Sequence, residues 1–356
     1  MAGFFTRGII LEQHKEPALS REPRKFFNAN TQNNSFDNAG FPPPEQLTAE
    51  QIIEIARLAN IVDERDGVLL YKKLAAGKVE AVVGDASDDE PYISSQINPL
   101  LKKESLTLQG LSLVKTAVGA KQSYFAVYKN ITDISVKIPI LLGILTEISV
   151  KIPNKIGGVT VKRIRGRYPA EYRITDEFKH CGSILMVGVC ALIHLARAAA
   201  HGKVQTSCFL TVAGNCIANP TNLEVSLGMP IMQVLERCGL SKEPNAVVLG
   251  GPMTGISCNN PENTVVTHTT RAILAFKEDN RERHYKCIGC GRCVEACPEN
   301  LTPFYINKCI EHGRFSELPF YEIDRCIGCG TCSYVCPAKL DISANIKEAR
   351  ANAFKP

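Results

Sequence analysis

The chain contains 356 residues, of which 45% are hydrophobic and 22% are charged, and its formal net charge is +5 at pH 7. This length predicts two or three domains, each able to bury a core. Nucleic-acid binding has little support, because the basic excess is small and no run of Lys and Arg is interleaved with aromatic residues. The most apolar stretch, residues 182–200, contains His194 and Arg197 and falls short of an uncharged membrane span, so we interpret it as a buried helix.

Residues 1–47 have the composition of an arm or linker. They contain Pro17, Pro23, the polar tract NANTQNNS and three consecutive prolines at 42–44, and they offer little apolar surface for a core. The first ten residues lack an extended apolar h-region and a small-residue cleavage site. We therefore expect a cytoplasmic protein.

Residues 48–203 predict an α/β domain. Thr48 and Gln51 form a capping-box motif ahead of apolar residues at helical spacing. A short apolar strand is predicted at 79–83, an amphipathic helix at 106–118 and a second strand at 124–128. The order strand, helix, strand indicates a layer built on a mainly parallel sheet.

Residues 204–260 show a different pattern. Strands predicted at 208–212, 223–227 and 246–249 surround a helix predicted at 230–238. A hairpin, a helix and a returning strand make a compact α+β unit, which is large enough for a ubiquitin-like, or β-grasp, core. The charged sequence RERH then opens the C-terminal domain, residues 281–356.

Two cysteine runs of the form C-x₂-C-x₂-C-x₃-C-P dominate the C-terminal domain. They consist of Cys287, Cys290, Cys293 and Cys297, and of Cys326, Cys329, Cys332 and Cys336. This is the spacing of bacterial ferredoxins, whose cysteine thiolates hold [4Fe–4S] clusters. Glycine stands in each two-residue gap, where the backbone must turn tightly and offer amide N–H groups to sulfide. The sequence therefore predicts two [4Fe–4S] clusters in a helical, two-cluster ferredoxin-like domain.

The fourth cysteine of each run follows a helical turn, and in two-cluster proteins it serves the other cluster. We assign Cys287, Cys290, Cys293 and Cys336 to the first cluster, and Cys326, Cys329, Cys332 and Cys297 to the second. A zinc site pairs two C-x₂-C knuckles across a longer loop and has no use for the further cysteines. A disulfide framework needs an oxidising compartment. The other seven cysteines lie among apolar residues and are interpreted as buried thiols.

Several segments between residues 48 and 345 resemble RnfC and its relatives PrdC and PduS, which are related to the flavin subunit of complex I. The resembling segments are DEPY at 89–92, KRIRGRYPAEY at 162–172, TVAG at 211–214 with Asn219-Pro220, GGPMTG at 250–255, and the double ferredoxin run. The resemblance implies that residues 204–260 form a soluble-ligand-binding β-grasp (SLBB-like) domain. It also implies that the α/β domain is a nucleotide and flavin layer.

One loop departs from the family pattern. Relatives that take electrons from NADH carry a glycine-rich loop, G-x-G-G-A-G-F-P-T, after the first helix of this layer. The corresponding residues here, 61–70, read IVDERDGVLL, and we call them the acidic loop. Backbone N–H groups can cradle a phosphate only where side chains stay clear, and Asp63, Glu64 and Asp66 place negative charge there. We therefore expect no tightly bound FMN or NADH, although Arg65 is able to pair with a phosphate.

Glu90 matches a family position that helps to hold flavin or nicotinamide. It is the one cofactor-binding candidate outside the cysteine runs. An acidic residue before Pro-Tyr at a strand end is more often a turn or capping group, and we favour that interpretation.

These observations predict an iron–sulfur electron-transfer subunit without a catalytic residue of its own. We expect it to relay single electrons between a flavoprotein or ferredoxin and a partner reductase, with at most peripheral contact to a membrane complex. Two alternatives stay open: an FMN-containing, NADH-dependent reductase of the RnfC, PrdC or PduS type, and a scaffold or assembly subunit of a redox complex. Bound flavin separates the first alternative from the relay, and a loss of turnover on cluster removal separates the relay from the scaffold.

Overall fold

The computed structural model describes residues 35–37, 40–128, 134–135, 149–150, 152–166, 168–169, 173–277 and 285–353. Most of the predicted arm, residues 1–47, therefore lies outside the described residues. Within the part that is described, a short 3₁₀-helix, Pro44–Gln46, leads into the first α-helix.

The first unit is an α/β layer. Its helices are α1 (Ala49–Leu58), α2 (Leu70–Ala75), α3 (Ile97–Lys102), α4 (Glu104–Ala117), α5 (Ile174–Glu177) and α6 (Val189–His201). Its strands are β1 (Ala81–Asp85), β2 (Gln122–Tyr128), β3 (Ile134–Ser135), β4 (Ser149–Val150), β5 (Lys155–Ile156), β6 (Val159–Ile164) and β7 (Ile184–Gly188). One sheet has the order β5-β6-β2-β1-β7 and is parallel except at β5, while β3 pairs with β4 separately. This confirms the predicted α/β layer with a mainly parallel sheet.

Local sequence explains how this layer begins. Thr48 Oγ1 accepts a hydrogen bond from the Gln51 amide at 3.3 Å, and Gln51 Oε1 accepts one from the Thr48 amide at 2.9 Å. The capping box predicted from the sequence is therefore formed at the start of α1. Strand β1 lies between β2 and β7, and its five residues are all buried, which is typical of a central strand in a parallel sheet.

The apolar stretch at 182–200 is not one helix. It divides into the sheet strand β7 and the helix α6, and Gly188 at the junction keeps an extended backbone. The expectation of a single helix was wrong because periodicity alone does not separate a buried strand from a buried helix. Helix α6 is buried on nearly all sides and packs closely against α4, where a Cβ on Gly110 would lie 2.0 Å from the Leu192 carbonyl oxygen.

The second unit is an α+β domain. Its elements are β8 (Ser207–Ala213), β9 (Thr221–Ser226), α7 (Ile231–Arg237), β10 (Ala246–Leu249), β11 (Ile256–Ser257) and β12 (Ala272–Phe276). They form a sheet of order β11-β10-β12-β8-β9, in which β12 is parallel to β8 and antiparallel to β10. Strand β12 therefore sits inside this sheet, and the sheet reaches past the predicted boundary at residue 260.

The third unit is helical. It contains α8 (Arg292–Glu295), α9 (Pro303–Glu311), α10 (Thr331–Tyr334) and α11 (Ile342–Ala353), with 3₁₀-helices at Phe315–Tyr321 and Ile323–Arg325. Its core, which includes Leu301, Ile306 and Ile342, is separate from the core that the first two units share. Within the part of the chain that the structure describes, no helix combines the length and the apolar character needed to cross a membrane.

Candidate metal centres and the acidic loop

The first cysteine loop, residues 287–293, turns at two glycines with positive φ. Gly289 has a φ of 68° and Gly291 a φ of 76°, a conformation that glycine adopts without steric cost. Helix α8 starts directly after Gly291 and carries Cys293. A cavity of about 440 Å³, open to solvent, is lined by the three cysteines of this loop and by Cys336 of the other run.

The second cysteine loop, residues 326–332, repeats this geometry. Gly328 and Gly330 have φ values of 64° and 79°. A pocket of about 390 Å³, a volume that includes adjoining solvent, is lined by Cys326, Cys329, Cys332 and Cys297. The structure thus brings the eight cysteines together in two groups of four, each made of three cysteines from one run and the fourth cysteine of the other.

The donor set and its surroundings fit iron–sulfur clusters. Among the described residues, no three His, Cys, Asp or Glu side chains converge as they would around a single metal ion. The cysteines instead line two cavities whose other walls are largely apolar, with Phe304 and Ile342 in the first, and Leu301 and Ile346 in the second. Four thiols around a cavity are the donor set that a cubane requires.

Backbone N–H groups already point at two of these sulfurs. The Leu301 amide donates to Cys297 Sγ and the Gly328 amide donates to Cys326 Sγ, both at 3.4 Å. Such bonds stabilise negative charge on a sulfur and are one of the ways in which a protein tunes a cluster.

Burial and mutual repulsion act on the thiols. Burial, followed by the neighbouring Cys326 and Cys329, raises the pKa of Cys332 to about 12. Burial is also the largest cause that raises the pKa of Cys293 and of Cys326. Burial therefore disfavours the thiolate form of these three cysteines, and a bound cation would favour it.

The remaining cysteines lie away from both cavity linings. Six of the seven are buried, and Cys181 is half-buried. Cys309, between the two runs, places its sulfur 3.8 Å from Glu317 Oε2. Burial raises the pKa of Cys208 to about 12, and the pKa of Cys190 is also raised, chiefly by burial. Six of the seven cysteines are therefore buried thiols, as interpreted from the sequence, and Cys181 is the exception.

The acidic loop is buried against the start of α6. Glu64 Oε1 accepts a hydrogen bond from the Cys190 amide at 2.8 Å, and Glu64 Oε2 accepts one from the Ala191 amide at 3.1 Å. These are the first-turn N–H groups of a helix, where anions bind favourably. A Cβ on Gly188 would lie 2.2 Å from Glu64 Oε1, so the carboxylate fills the space in front of the helix.

Charged neighbours complete this arrangement. Lys73 Nζ lies 2.5 Å from Asp63 Oδ2, and Arg65 Nε lies 2.5 Å from Asp85 Oδ2. Burial opposes ionisation of Asp63, but Lys73 and Arg65 outweigh it and hold the pKa of Asp63 below its usual range. Burial first, and the charge of Asp63 second, raise the pKa of Glu64 to about 7. Arg65, which the sequence left available for a phosphate, thus pairs with a carboxylate of the chain itself.

Glu90 lies at a contact between two units. Its Oε2 accepts hydrogen bonds from the Met253 amide at 2.8 Å and the Thr254 amide at 3.3 Å, and its Oε1 accepts one from the Thr254 hydroxyl. The carboxylate therefore caps the turn at 250–255 that joins β10 to β11. These three contacts are those of a capping group.

Sequence reasoning missed two contacts that reach the second cysteine loop. The Tyr168 hydroxyl donates a hydrogen bond to the Cys329 carbonyl at 2.9 Å, and the Met253 carbonyl lies against Gly330. Both partners belong to segments that were singled out only for their family resemblance. No local pattern around Tyr168 or Met253 indicates a partner more than seventy residues away.

Two protein families match parts of the chain. Residues 286–340 match the 4Fe-4S dicluster domain, and residues 209–257 match the SLBB domain. The first match covers both cysteine runs, and the second covers most of the α+β unit. The expected ferredoxin-like domain with [4Fe–4S] clusters and the expected SLBB-like β-grasp domain are confirmed.

Curated relatives of the chain are components of oxidoreductase complexes. The chain is 29% identical over 238 residues to a component of the ion-translocating oxidoreductase complex of Rhodobacter capsulatus, covering 64% of this chain and 45% of that protein. It is 27% identical over 242 residues to a component of the Na(+)-translocating ferredoxin:NAD(+) oxidoreductase complex of Acetobacterium woodii, covering 64% of this chain and 52% of that protein. The chain therefore spans about half the length of these relatives, and its resemblance to RnfC-like proteins is confirmed.

A solved structure shares the fold. An NAD+-reducing [NiFe]-hydrogenase in the H2-reduced state matches with a TM-score of 0.55 at 13% identity, covering 88% of this chain and 66% of the other. At this identity the match shows a shared fold alone.

Proposed function

We propose that the chain is an iron–sulfur electron-transfer subunit that relays single electrons between a flavoprotein or ferredoxin and a partner reductase. The observation that carries the proposal is the pair of cavities, each lined by four cysteines drawn from both runs. When bound, two [4Fe–4S] clusters would accept and donate single electrons. The protein would contribute the cysteine thiols, the Leu301 and Gly328 amides that donate to Cys297 and Cys326, and largely apolar cavity walls.

The ligand sets would be Cys287, Cys290, Cys293 and Cys336 for the first cluster, and Cys326, Cys329, Cys332 and Cys297 for the second. The full chain, purified without oxygen, should then contain about eight iron and eight sulfide per chain. A value near four of each would contradict the two-cluster proposal.

We further propose that the α/β unit holds neither FMN nor NADH tightly. A phosphate at the first-turn N–H groups of α6 would have to displace the Glu64 carboxylate, which the chain itself keeps in place. Arg65 is likewise held by Asp85. These contacts support a relay that receives electrons one at a time from another protein. They do not favour a reductase that accepts hydride from NADH.

Flavin analysis tests this part of the proposal. Acid denaturation of the purified chain should release far less than one flavin per chain, and NADH alone should not bleach the cluster absorbance. Stoichiometric flavin, or bleaching by NADH without a partner, would favour the FMN-containing reductase instead.

The partner is proposed from the relatives and from the chemistry. The Acetobacterium woodii relative is named as part of a ferredoxin:NAD(+) oxidoreductase complex. By analogy, this chain would act in the cytoplasm as one member of a larger redox assembly, with peripheral contact to any membrane component. In a reconstituted system, removal of the clusters should abolish electron transfer. Unchanged transfer after their removal would indicate a scaffold role.

A further inference from the structure

The two cysteine loops have nearly the same sequence, CIGCGRC and CIGCGTC, yet their surroundings differ. In the first loop, residues 287–290 are exposed, and Ile288 retains 70% of its accessible surface. In the second loop, residues 328–330 are buried. Since the loops share their glycines and their backbone turns, the difference arises from what lies against them.

The space beside the glycines differs between the two loops. Against the described atoms of the chain, a Cβ built on Gly289 or Gly291 would meet nothing within 4 Å. A Cβ built on Gly330 would lie 2.4 Å from the Met253 carbonyl oxygen, which is closer than real Cβ contacts allow. Gly330 is therefore required by a contact with the second unit in addition to its φ of 79°.

Two side chains of the first unit contribute to the contacts at the second loop, beside Arg350 and Lys347 of its own unit. The Tyr168 hydroxyl donates to the Cys329 carbonyl at 2.9 Å. Glu90 accepts hydrogen bonds from the Met253 and Thr254 amides and so fixes the turn whose Met253 carbonyl meets Gly330. The fit around Glu90 is tight, because a Cβ on Gly251 would lie 1.8 Å from Glu90 Oε2.

We propose that Tyr168 and Glu90 are positioning residues for the second cysteine loop, and that through them the first unit sets the properties of one cluster without affecting the other. The inference rests on the proposed function, because it assumes that both loops hold clusters. Tyr168 orients the carbonyl dipole of Cys329, a predicted ligand. Glu90 holds the turn that places the Met253 carbonyl against Gly330. Dipoles and hydrogen bonds just outside the ligands are what tune a cluster potential.

The test is a redox titration of the full chain, purified without oxygen and followed by electron paramagnetic resonance. Tyr168→Phe removes the hydroxyl donor but keeps the ring. Glu90→Gln keeps the shape but removes the negative charge and leaves one acceptor oxygen in place of two for the Met253 and Thr254 amides and the Thr254 hydroxyl. In both variants, one of the two midpoint potentials should shift while the other stays at the wild-type value. Iron content should stay near about eight per chain.

The matched control is Tyr334→Phe. Tyr334 is the last residue of α10, which begins inside the second cysteine loop, but 75% of its surface is exposed. Removal of the Tyr334 hydroxyl should leave both midpoint potentials unchanged. Hydrogen exchange at the amides of residues 326–332 adds a readout that does not depend on iron, and it should be faster in Glu90→Gln than in wild type.

The outcomes separate this inference from the proposed function. Wild-type iron near four per chain would contradict the two-cluster proposal on which this inference rests. Iron near eight, with both potentials unchanged in Tyr168→Phe and in Glu90→Gln, would overturn the positioning role alone. An equal shift of both potentials would also overturn it. If Glu90→Gln does not fold, Tyr168→Phe decides the question, because it removes a single oxygen atom.

Discussion

The buried carboxylate of Glu64 should give the protein a pH-dependent stability that Glu64→Gln removes. Glu64 is only 3% exposed, and its burial and the negative charge of Asp63 raise its pKa from 4.5 to about 7. The folded state therefore binds this proton more strongly than the unfolded state does. It follows that the contribution of Glu64 to stability is greatest below pH 4.5 and falls as the pH rises toward about 7.

The size of the effect follows from the shift. A rise in pKa from 4.5 to about 7 corresponds to a loss on the order of 3 kcal/mol across this window. The titratable groups near Glu64 do not cancel this loss when wild type is compared with Glu64→Gln. Asp63 is present in both proteins, and the Cys208 thiol, with a pKa of about 12, stays protonated across the window. For a unit of this size, 1 kcal/mol moves the unfolding temperature by roughly 2–4 °C.

The assay is the thermal unfolding of wild type and Glu64→Gln, with clusters intact, between pH 5 and pH 8. Relative to the variant, wild type should lose roughly 5–12 °C as the pH rises. Glu54→Gln is the control, because Glu54 lies on the exposed face of α1 beside Arg57, and its pKa is lowered by that partner. If the unfolding temperatures of wild type and Glu64→Gln change in parallel with pH, the reasoning is refuted. Glu64 would then have the same pKa in the folded and unfolded states.

Three further predictions concern the cysteine loops and the acidic loop. Cys297→Ser should damage mainly the cluster of the second cysteine loop, so that iron falls from about eight toward four and one of two paramagnetic signals is lost; equal damage to both signals would contradict the assignment. Gly291→Ala and Gly330→Ala introduce similar backbone strain, at φ values of 76° and 79°. Gly330→Ala should also loosen the contact with Met253, measured as faster hydrogen exchange at 250–255, and an equal effect in Gly291→Ala would argue against that contact. Glu64→Gly should lower the unfolding temperature at pH 5, because the Cys190 and Ala191 amides lose their acceptor; an unchanged temperature would mean that those bonds contribute little.

Much of the site was predictable from sequence because its determinants are local. Cysteine spacing specifies a cluster-binding loop over seven residues, and the glycines at 289, 291, 328 and 330 all adopt the positive φ that such a loop requires. The capping box of α1 is equally local. The acidic loop is read from the sequence in the same way: its three carboxylates in place of glycines predict that it holds no phosphate, which flavin analysis tests.

The tertiary structure decided everything that depends on residues far apart in the chain. Glu64 meets amides that follow it by more than 120 residues, and Glu90 meets Met253 across 163 positions. The apolar stretch at 182–200 is a strand followed by a helix, because residues 184–188 pair in parallel with β1. Two loops of nearly identical sequence became an exposed loop and a covered one. Local sequence fixes the backbone turns of such a loop, whereas burial depends on which other segments the fold brings against it.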